Sequence, residues 1–177
     1  MNKLANLTAI AFLVVAANAQ AQKITTDWDH DANLDNYQTY MWSKGTPVQD
    51  PLMDQRVVSS IESELASKGI EKVDSNPSMY VCYHASTKQN QQFQTDSFGY
   101  GMGAGWRWGG MGGMGSSTTR EVTYVKGTLV VDFWDASTKK LVWRGTATDT
   151  LSDKPDKNSK KVVKAMEKLF KKYPPKK

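Results

Sequence analysis

The chain has 177 residues, one cysteine, two histidines and a formal net charge of +5 at pH 7. One cysteine excludes an intrachain disulfide, and two histidines leave little material for a zinc site or for histidine-based acid–base catalysis. The charge is uneven, because residues 23–151 carry a net charge of −3 and residues 152–177 carry +7. This basic tail contains no arginine and almost no aromatic residues, so we expect no nucleic-acid partner.

Residues 1–21 have the pattern of a secretory signal peptide. Lys3 gives the charged start, residues 7–17 form an uncharged apolar run, and Ala19 and Ala21 fit a small-x-small cleavage motif. The apolar run is shorter than a membrane-spanning helix requires, so an uncleaved anchor is the less favoured alternative. No cysteine stands at the cleavage region, so we expect an exported, periplasmic protein rather than a lipoprotein.

Residues 22–177 have the length of a single domain, and the first half of this domain predicts two strands and a helix. Aromatic and β-branched residues favour strands over residues 24–29 and 37–42. Asp50, followed by proline, is a typical helix start. An apolar stripe then recurs at helical spacing through Met53, Val57, Val58, Ile61 and Leu65. Gly69 is expected to end this helix.

The second half predicts short strands over residues 70–73, 79–86 and 119–125. A second amphipathic helix closes the chain, with lysines on one side. The apolar side of this helix consists of Val162, Val163, Met166, Leu169, Phe170 and Tyr173. Two prolines then stop the helix, and residues 174–177 are predicted to form a frayed tail.

The clearest pattern is a β-hairpin over residues 125–148. Two runs rich in valine, phenylalanine, tryptophan and threonine flank a polar turn at residues 135–140. Successive side chains of a strand point to opposite faces, so one face of this hairpin needs to be covered. Asp132, Asp135 and Arg144 are interpreted as cross-strand pairing and turn chemistry rather than as an active site.

A low-complexity insertion is predicted over residues 88–118, rich first in glutamine and then in glycine. Residues 98–115 hold nine of the 13 glycines. Because ordering glycine costs much conformational entropy, we expect a long flexible loop between two paired strands. It is either a dispensable loop or an adaptable contact with a partner or a membrane. The candidate contact residues are Phe98, Tyr100, Trp106, Arg107, Trp108, Met111 and Met114.

Three groups of side chains are candidates for chemistry, and none forms a specific motif. The aspartates around His30 lack the glycine and the glutamate of a calcium-binding loop. Met111 and Met114 offer thioethers to copper without a nearby histidine. Cys82 and His84 share one face of a predicted strand, but a buried thiol explains this pair more simply than a nucleophile does. We therefore predict no catalytic residue, no cofactor and no metal site.

Four segments carry a family resemblance: residues 24–42, 60–70, 76–84 and 127–147. The last is the most specific and reads G-T-L-V-V-D-F-W-D-A-S-T-K-K-L-V-W-R-G-T-A. In these segments the chain resembles the DUF4136 family of uncharacterised bacterial cell-envelope proteins, many of them lipoproteins. The resemblance implies an α+β fold and an envelope location; the family has no assigned catalytic residues, so none are carried over to this chain. The chain departs from the family in having Ser78 where an acid is usual and in lacking the lipidation cysteine.

Together these patterns predict one α+β domain. A single antiparallel sheet carries the last hairpin near its centre, and two amphipathic helices cover one face. We expect a non-enzymatic envelope protein that binds or scaffolds another envelope component. The alternative is a peripheral membrane-surface protein that uses the lysine-rich final helix and the Gly/Trp/Met loop. An enzyme that uses Cys82 and His84 is the least favoured hypothesis.

Overall fold

A computed structural model describes residues 22–97 and 117–175, with side chains for 22–91 and 122–175. The strands are β1 (Lys23–Trp28), β2 (Thr39–Trp42), β3 (Glu71–Lys72), β4 (Met79–Ser97), β5 (Ser117–Asp135) and β6 (Leu141–Thr150). The helices are α1 (Pro51–Ser67) and α2 (Pro155–Phe170), and a 3-10 turn covers Leu34–Asn36. The predicted signal peptide, residues 1–21, lies outside the described residues.

The strands form one sheet in the order β1-β6-β5-β4-β2-β3, with the predicted hairpin β5–β6 near its centre. This confirms the α+β prediction, but the sheet is mixed rather than antiparallel. β2 pairs in parallel with both β3 and β4, while the other pairs are antiparallel. The reason is α1, which returns the chain to the starting end of β2, so that β3 runs in the same direction.

Both helices cover the same face of the sheet, as predicted. Side chains at alternate positions of the central strands meet the apolar stripes of the helices. The fully buried core includes Val57, Ile61 and Leu65 from α1, Met166, Leu169 and Phe170 from α2, and Val81, Phe133 and Trp143 from the sheet. Burial of each large apolar side chain contributes roughly 1.5–3 kcal/mol to folding, so this interface is the main source of stability. Within the described residues, no helix is long and apolar enough to cross a membrane.

The first helix begins and ends where the sequence indicates. The Asp50 carboxylate accepts hydrogen bonds from the backbone N–H groups of Leu52, at 2.9 Å, and Met53, at 3.3 Å. These bonds satisfy donors that have no partner inside the helix. At the other end Gly69 has a φ of +73°, which a residue without Cβ adopts at little cost. The two ends of α1 are therefore set by its capping residues.

The predicted insertion at residues 88–118 is too long, because β4 continues to Ser97 and β5 begins at Ser117. β4 and β5 pair continuously from Met79 opposite Asp135 to Ser97 opposite Ser117. β6 stops pairing with β5 at Lys126, so the outer part of the β4–β5 pair extends beyond the sheet as a two-stranded ribbon. Backbone hydrogen bonding makes this ribbon possible even though its glutamine-rich strand lacks an apolar alternation. The candidate contact residues of the glycine-rich loop lie outside the described residues.

The residues after α2 pack against the segment between β1 and β2. Tyr173 is buried, and its hydroxyl donates a hydrogen bond to the carbonyl of Leu34 at 3.3 Å. The predicted frayed tail starts at the next residue, and residues 176 and 177 lie outside the described part of the chain. Ordered packing of the chain therefore reaches at least Tyr173.

Candidate functional site

A cavity of about 250 Å³ lies between the N-terminal halves of the two helices and the sheet. The side chains that line it are mostly apolar, among them Met53, Val57, Ala85, Leu129, Ala147 and Val162. We call this space the helix–sheet cavity. A concave, mostly apolar space with a few polar groups at its edge is the usual form of a small-molecule binding site.

The helix–sheet cavity exists because the sheet presents small side chains beneath the helices. Ala85 of β4 and Ala147 of β6 both stand opposite Leu129 of β5 in the strand register. Gly127, two residues before Leu129 on the same face, adds no side chain at all. The helices rest on larger residues elsewhere in the core, so the space above these positions is not filled.

Polar groups at the rim of the cavity are paired with one another. Lys161 lies 3.3 Å from the Asp149 carboxylate and also donates to the carbonyl of Thr150. The side-chain amide of Gln22 donates to the carbonyl of Lys161 at 2.8 Å. Because these groups already have partners, the cavity favours an apolar occupant over a strongly charged one.

Another rim contact holds α1 and the preceding segment against the sheet. The Tyr83 hydroxyl donates to the Asp54 carboxylate, which also accepts the backbone N–H of Val48 at 2.8 Å. Burial first, and then this hydrogen bond, raise the pKa of Tyr83 above its ordinary value. The neutral hydroxyl is therefore the form that donates to Asp54, and it fixes the wall that Val48 contributes to the cavity.

The Cys82–His84 pair lies on the other face of the sheet, away from the helices. The Cys82 Sγ is 3.8 Å from the Nε2 of His84, which confirms that the two side chains share a face. They border a second space of about 300 Å³, together with Trp134 and Lys139. Burial raises the pKa of the Cys82 thiol, and the negative charge of Asp132 raises it further. The neutral thiol is favoured, which gives no support to the hypothesis of a cysteine nucleophile.

The acidic residues of the hairpin have the roles that the sequence indicates. Arg144 donates two hydrogen bonds of 2.7 Å to the carboxylate of Asp132 on the neighbouring strand. Asp135 accepts the backbone N–H groups of Ser137, at 2.9 Å, and Thr138, at 2.6 Å. These bonds confirm cross-strand pairing for the first acid and turn formation for the second.

The sequence did not indicate the helix–sheet cavity. Its lining comes from residues that are far apart in the chain, and a small residue on a strand does not by itself predict a space. The available signal was weak and consisted of small residues, Ala85, Gly127 and Ala147, on strand faces that also carry larger apolar residues. The loop residues that were the predicted contact site, from Phe98 to Met114, are outside the described residues, so that prediction stays a prediction.

A family model covers almost the whole described chain. Residues 24–175 match the model for DUF4136, a domain of unknown function, and the chain therefore belongs to this family. The match includes both helices and all six strands, apart from Lys23 at the start of β1. It also includes every residue that lines the helix–sheet cavity except Gln22. A comparison with curated proteins finds no match.

Three solved structures are similar to the chain, each at 12% sequence identity. A PDZ domain protein from Parabacteroides distasonis ATCC 8503 aligns with a TM-score of 0.57 over 88% of this chain and 37% of that one. The chain thus spans little more than a third of that protein. A PelC dodecamer from Paraburkholderia phytofirmans aligns with a TM-score of 0.50 over 85% of this chain and 95% of that one. A minor lipoprotein from Acinetobacter baumannii aligns over 77% and 91% with a TM-score of 0.33, which does not establish a shared fold. The first two similarities show the fold alone.

Proposed function

We propose that the protein is a non-enzymatic binding protein of the cell envelope, and that its helix–sheet cavity holds an apolar group of another envelope component. The cavity is the observation that supports this proposal, because it is lined by apolar side chains and its rim groups are already paired. The signal-peptide pattern of residues 1–21 supports an exported, periplasmic location. The DUF4136 resemblance supports an envelope location in the same way.

The size of the cavity limits the occupant. Apolar cavities of about 150 Å³ bind benzene, and sites for drug-sized ligands begin near about 300 Å³. A cavity of about 250 Å³ therefore takes an aromatic ring or a short aliphatic segment rather than a complete lipid. The bound group would be the end of an acyl chain or an apolar side chain of a partner.

A filling substitution tests this proposal. Ala85→Phe places a ring in the cavity from the strand that forms its floor, while Ala66→Phe adds the same ring on the exposed face of α1 as a matched control. The probe is N-phenyl-1-naphthylamine, a neutral apolar dye that fluoresces on binding. We expect saturable binding by the wild-type chain and the Ala66 variant, and at least a tenfold loss for the Ala85 variant. Equal dye binding by all three proteins would contradict a role for the cavity.

The glycine-rich loop belongs to the same proposal as a second contact with the partner. Its flanking strands end at Ser97 and Ser117, at the tip of the ribbon that extends from the sheet. Deletion of residues 98–115, with the ribbon left intact, is expected to reduce recovery of a partner from envelope extracts. Identical recovery of the partner with and without residues 98–115 would show that the loop does not contribute to binding.

Contact with an anionic membrane surface is a second candidate function, favoured by the exposed side of α2. Lysines recur there at helical spacing, and the exposed ones include Lys157, Lys160, Lys164, Lys168 and Lys171. A stripe of this kind attracts anionic headgroups, and salt weakens the attraction. Co-sedimentation with vesicles that contain phosphatidylglycerol, at low and high salt, measures it.

A matched pair of variants distinguishes the effect of the lysine stripe on vesicle binding from the effect of net charge alone. One variant replaces Lys157, Lys160 and Lys164 with glutamine, and the control replaces three lysines in other parts of the chain, Lys44, Lys68 and Lys88. Both variants lose the same charge. We expect only the first to lose vesicle binding, and equal losses would show that the stripe is not a specific surface.

A further inference from the structure

We propose that Cys82, His84 and Asp132 form a binding site for a divalent transition-metal ion of the zinc class. The site lies on the face of the sheet opposite the helices, and it is distinct from the helix–sheet cavity. The proposal departs from the sequence-based prediction of no metal site, which followed from the two histidines and from the lack of a specific ligand motif. One histidine, one thiol and one carboxylate are enough for a three-ligand site with an open fourth position.

The strand register brings the three side chains together. Cys82 and His84 are two residues apart on β4, and Asp132 of β5 stands directly opposite Cys82. One ligand atom from each side chain lies within 4.8 Å of the others. The sequence placed the first two on one face but gave no indication of the third, because 50 residues separate Cys82 from Asp132.

The distances are close to those of a bound ion. With bonds of about 2.3 Å to sulfur and 2.0–2.1 Å to nitrogen, tetrahedral zinc holds these two atoms about 3.6 Å apart. The observed distance between Cys82 Sγ and His84 Nε2 is 3.8 Å. The pair therefore fits a shared ion with almost no movement. The Asp132 oxygen lies within 4.8 Å of both atoms, so it needs to approach by no more than about 1.5 Å.

The orientation of His84 is fixed in the way that metal-binding histidines usually are. Its Nδ1 lies 3.0 Å from the hydroxyl oxygen of Thr46, which leaves Nε2 directed at Cys82. Metal-binding imidazoles typically hold their second nitrogen in such a hydrogen bond. Thr46 reaches this position because Gly45 passes very close to β4, where a Cβ would lie 2.0 Å from the carbonyl oxygen of Tyr83.

The charged groups at the site are the proposed ligands Cys82 and Asp132 and the ion-pair partner of Asp132, Arg144. Asp132 is 1% exposed, and Arg144 uses one lone pair on each carboxylate oxygen, so further lone pairs remain for an ion. When the ion binds, the Cys82 thiol releases its proton to solvent and a metal–sulfur bond forms. The thiolate and the carboxylate supply two negative charges, and Arg144 already offsets one of them, so the site with a bound divalent ion carries a net charge of +1. Lys139 borders the neighbouring space, and its ammonium lies over the Tyr80 ring at 4.4 Å from the ring centre.

The space of about 300 Å³ beside Cys82 and His84 supplies the open position. Ser43, Tyr80 and Trp134 also border it, so a water molecule or an external ligand can reach an ion held by the three side chains.

Cobalt binding by the full chain tests the proposal. Co²⁺ substitutes for zinc and gives a thiolate-to-cobalt absorption band, and Cys82 is the only cysteine that can produce it. We expect this band in the wild-type protein at micromolar Co²⁺, its loss on addition of Zn²⁺, and release of about one thiol proton per ion at neutral pH. Absence of the thiolate band in folded wild-type protein overturns the proposal, even if no variant can be prepared.

Variants then assign the ligands. Cys82→Ser is expected to abolish the band, and His84→Asn to weaken Co²⁺ binding at least tenfold. His30→Asn, which changes the only other histidine, is the matched control and should bind as the wild type does. Thr46→Val keeps the backbone contacts but removes the hydrogen bond to Nδ1 of His84. Because Thr46 positions the imidazole ring, this variant should bind Co²⁺ about tenfold more weakly. Binding by the His84 variant equal to that of the wild type, with unfolding curves unchanged, would refute the site.

Discussion

The indole ring of Trp143 lies across Gly145 on the helix-covered face of β6. A Cβ atom at position 145 would be 2.5 Å from the Cη2 of Trp143 and 2.7 Å from the Cδ1 of Leu169. Trp143 is fully buried, and its ring centre is 4.7 Å from that of Phe133. The absence of a side chain at Gly145 is therefore what lets a large ring and α2 meet the sheet at the same place.

The substitution Gly145→Ala should therefore be costly. We expect a loss of about 1–3 kcal/mol in the free energy of unfolding, because the added methyl forces Trp143 and Leu169 out of a closely packed core. Urea unfolding measures it. Gly127→Ala is the matched control, since its Cβ would meet the Cδ2 of Leu151 at 2.8 Å, the end of a flexible side chain. Equal losses for the two variants would contradict the packing explanation.

Local pattern was enough to predict the elements around these residues. The alternation in the hairpin placed Phe133 and Trp143 on strand faces that are expected to be buried. The apolar stripe through Ile61 identified one of the helices that bury them. The parallel pairing of β2 could not be predicted, since it depends on where α1 returns the chain. The ribbon was missed because the pairing of its strands follows from backbone hydrogen bonds, which the polar residues around Gln91 do not reveal.

The candidate sites depend on register, which the sequence does not give. Ala85 and Ala147 create a cavity only because both stand opposite Leu129. Cys82 and His84 could be placed on one face from their spacing, but Asp132 joins them only through the pairing of β4 with β5. Each site therefore depends on contacts between segments that are distant in the sequence, and local sequence patterns do not show which segments pair.

The Asp132–Arg144 pair leads to a second stability prediction. Arg144→Met leaves a carboxylate that is 1% exposed without its partner, so we expect a loss of about 3 kcal/mol in the free energy of unfolding. The double variant Asp132→Leu/Arg144→Met removes both charges and should be close to the wild type. Denaturant unfolding in the presence of EDTA measures both without interference from metal. If the double variant is as unstable as the single one, the unpaired Asp132 carboxylate is not the cause of the lost free energy of unfolding.

Alkaline solution should destabilise the fold through tyrosines that are buried, Tyr40 and Tyr173, or half-buried, Tyr37. Burial raises the pKa of Tyr37 to about 12 and that of Tyr40 to about 12, and burial also raises the pKa of Tyr173. The folded protein keeps these protons when the unfolded chain loses them, so their contribution is complete below about pH 10 and is lost above it. Tyrosinate absorbance and the free energy of unfolding are measured from about pH 8 to about pH 12. The absorbance should rise over the same pH range in which the free energy of unfolding falls. Tyr173→Phe should make the decline less steep, and tyrosine titration near pH 10 in a fully folded protein would contradict the prediction.

Acid should weaken the hairpin turn at Asp135. Hydrogen bonds from Ser137, then from the backbone of Thr138 and from the Tyr37 hydroxyl, hold the pKa of the Asp135 carboxyl well below its usual range. The unfolded chain binds this proton first as the pH falls, so the stabilisation is present above about pH 4 and is lost below it. Asp135→Asn keeps a side-chain acceptor that does not titrate in this range. The other carboxyls are the same in both proteins, so the difference between their unfolding free energies isolates this residue. We expect that difference to shrink as the pH falls from about 5 to 2, whereas parallel curves would show that the turn carboxylate is not linked to folding.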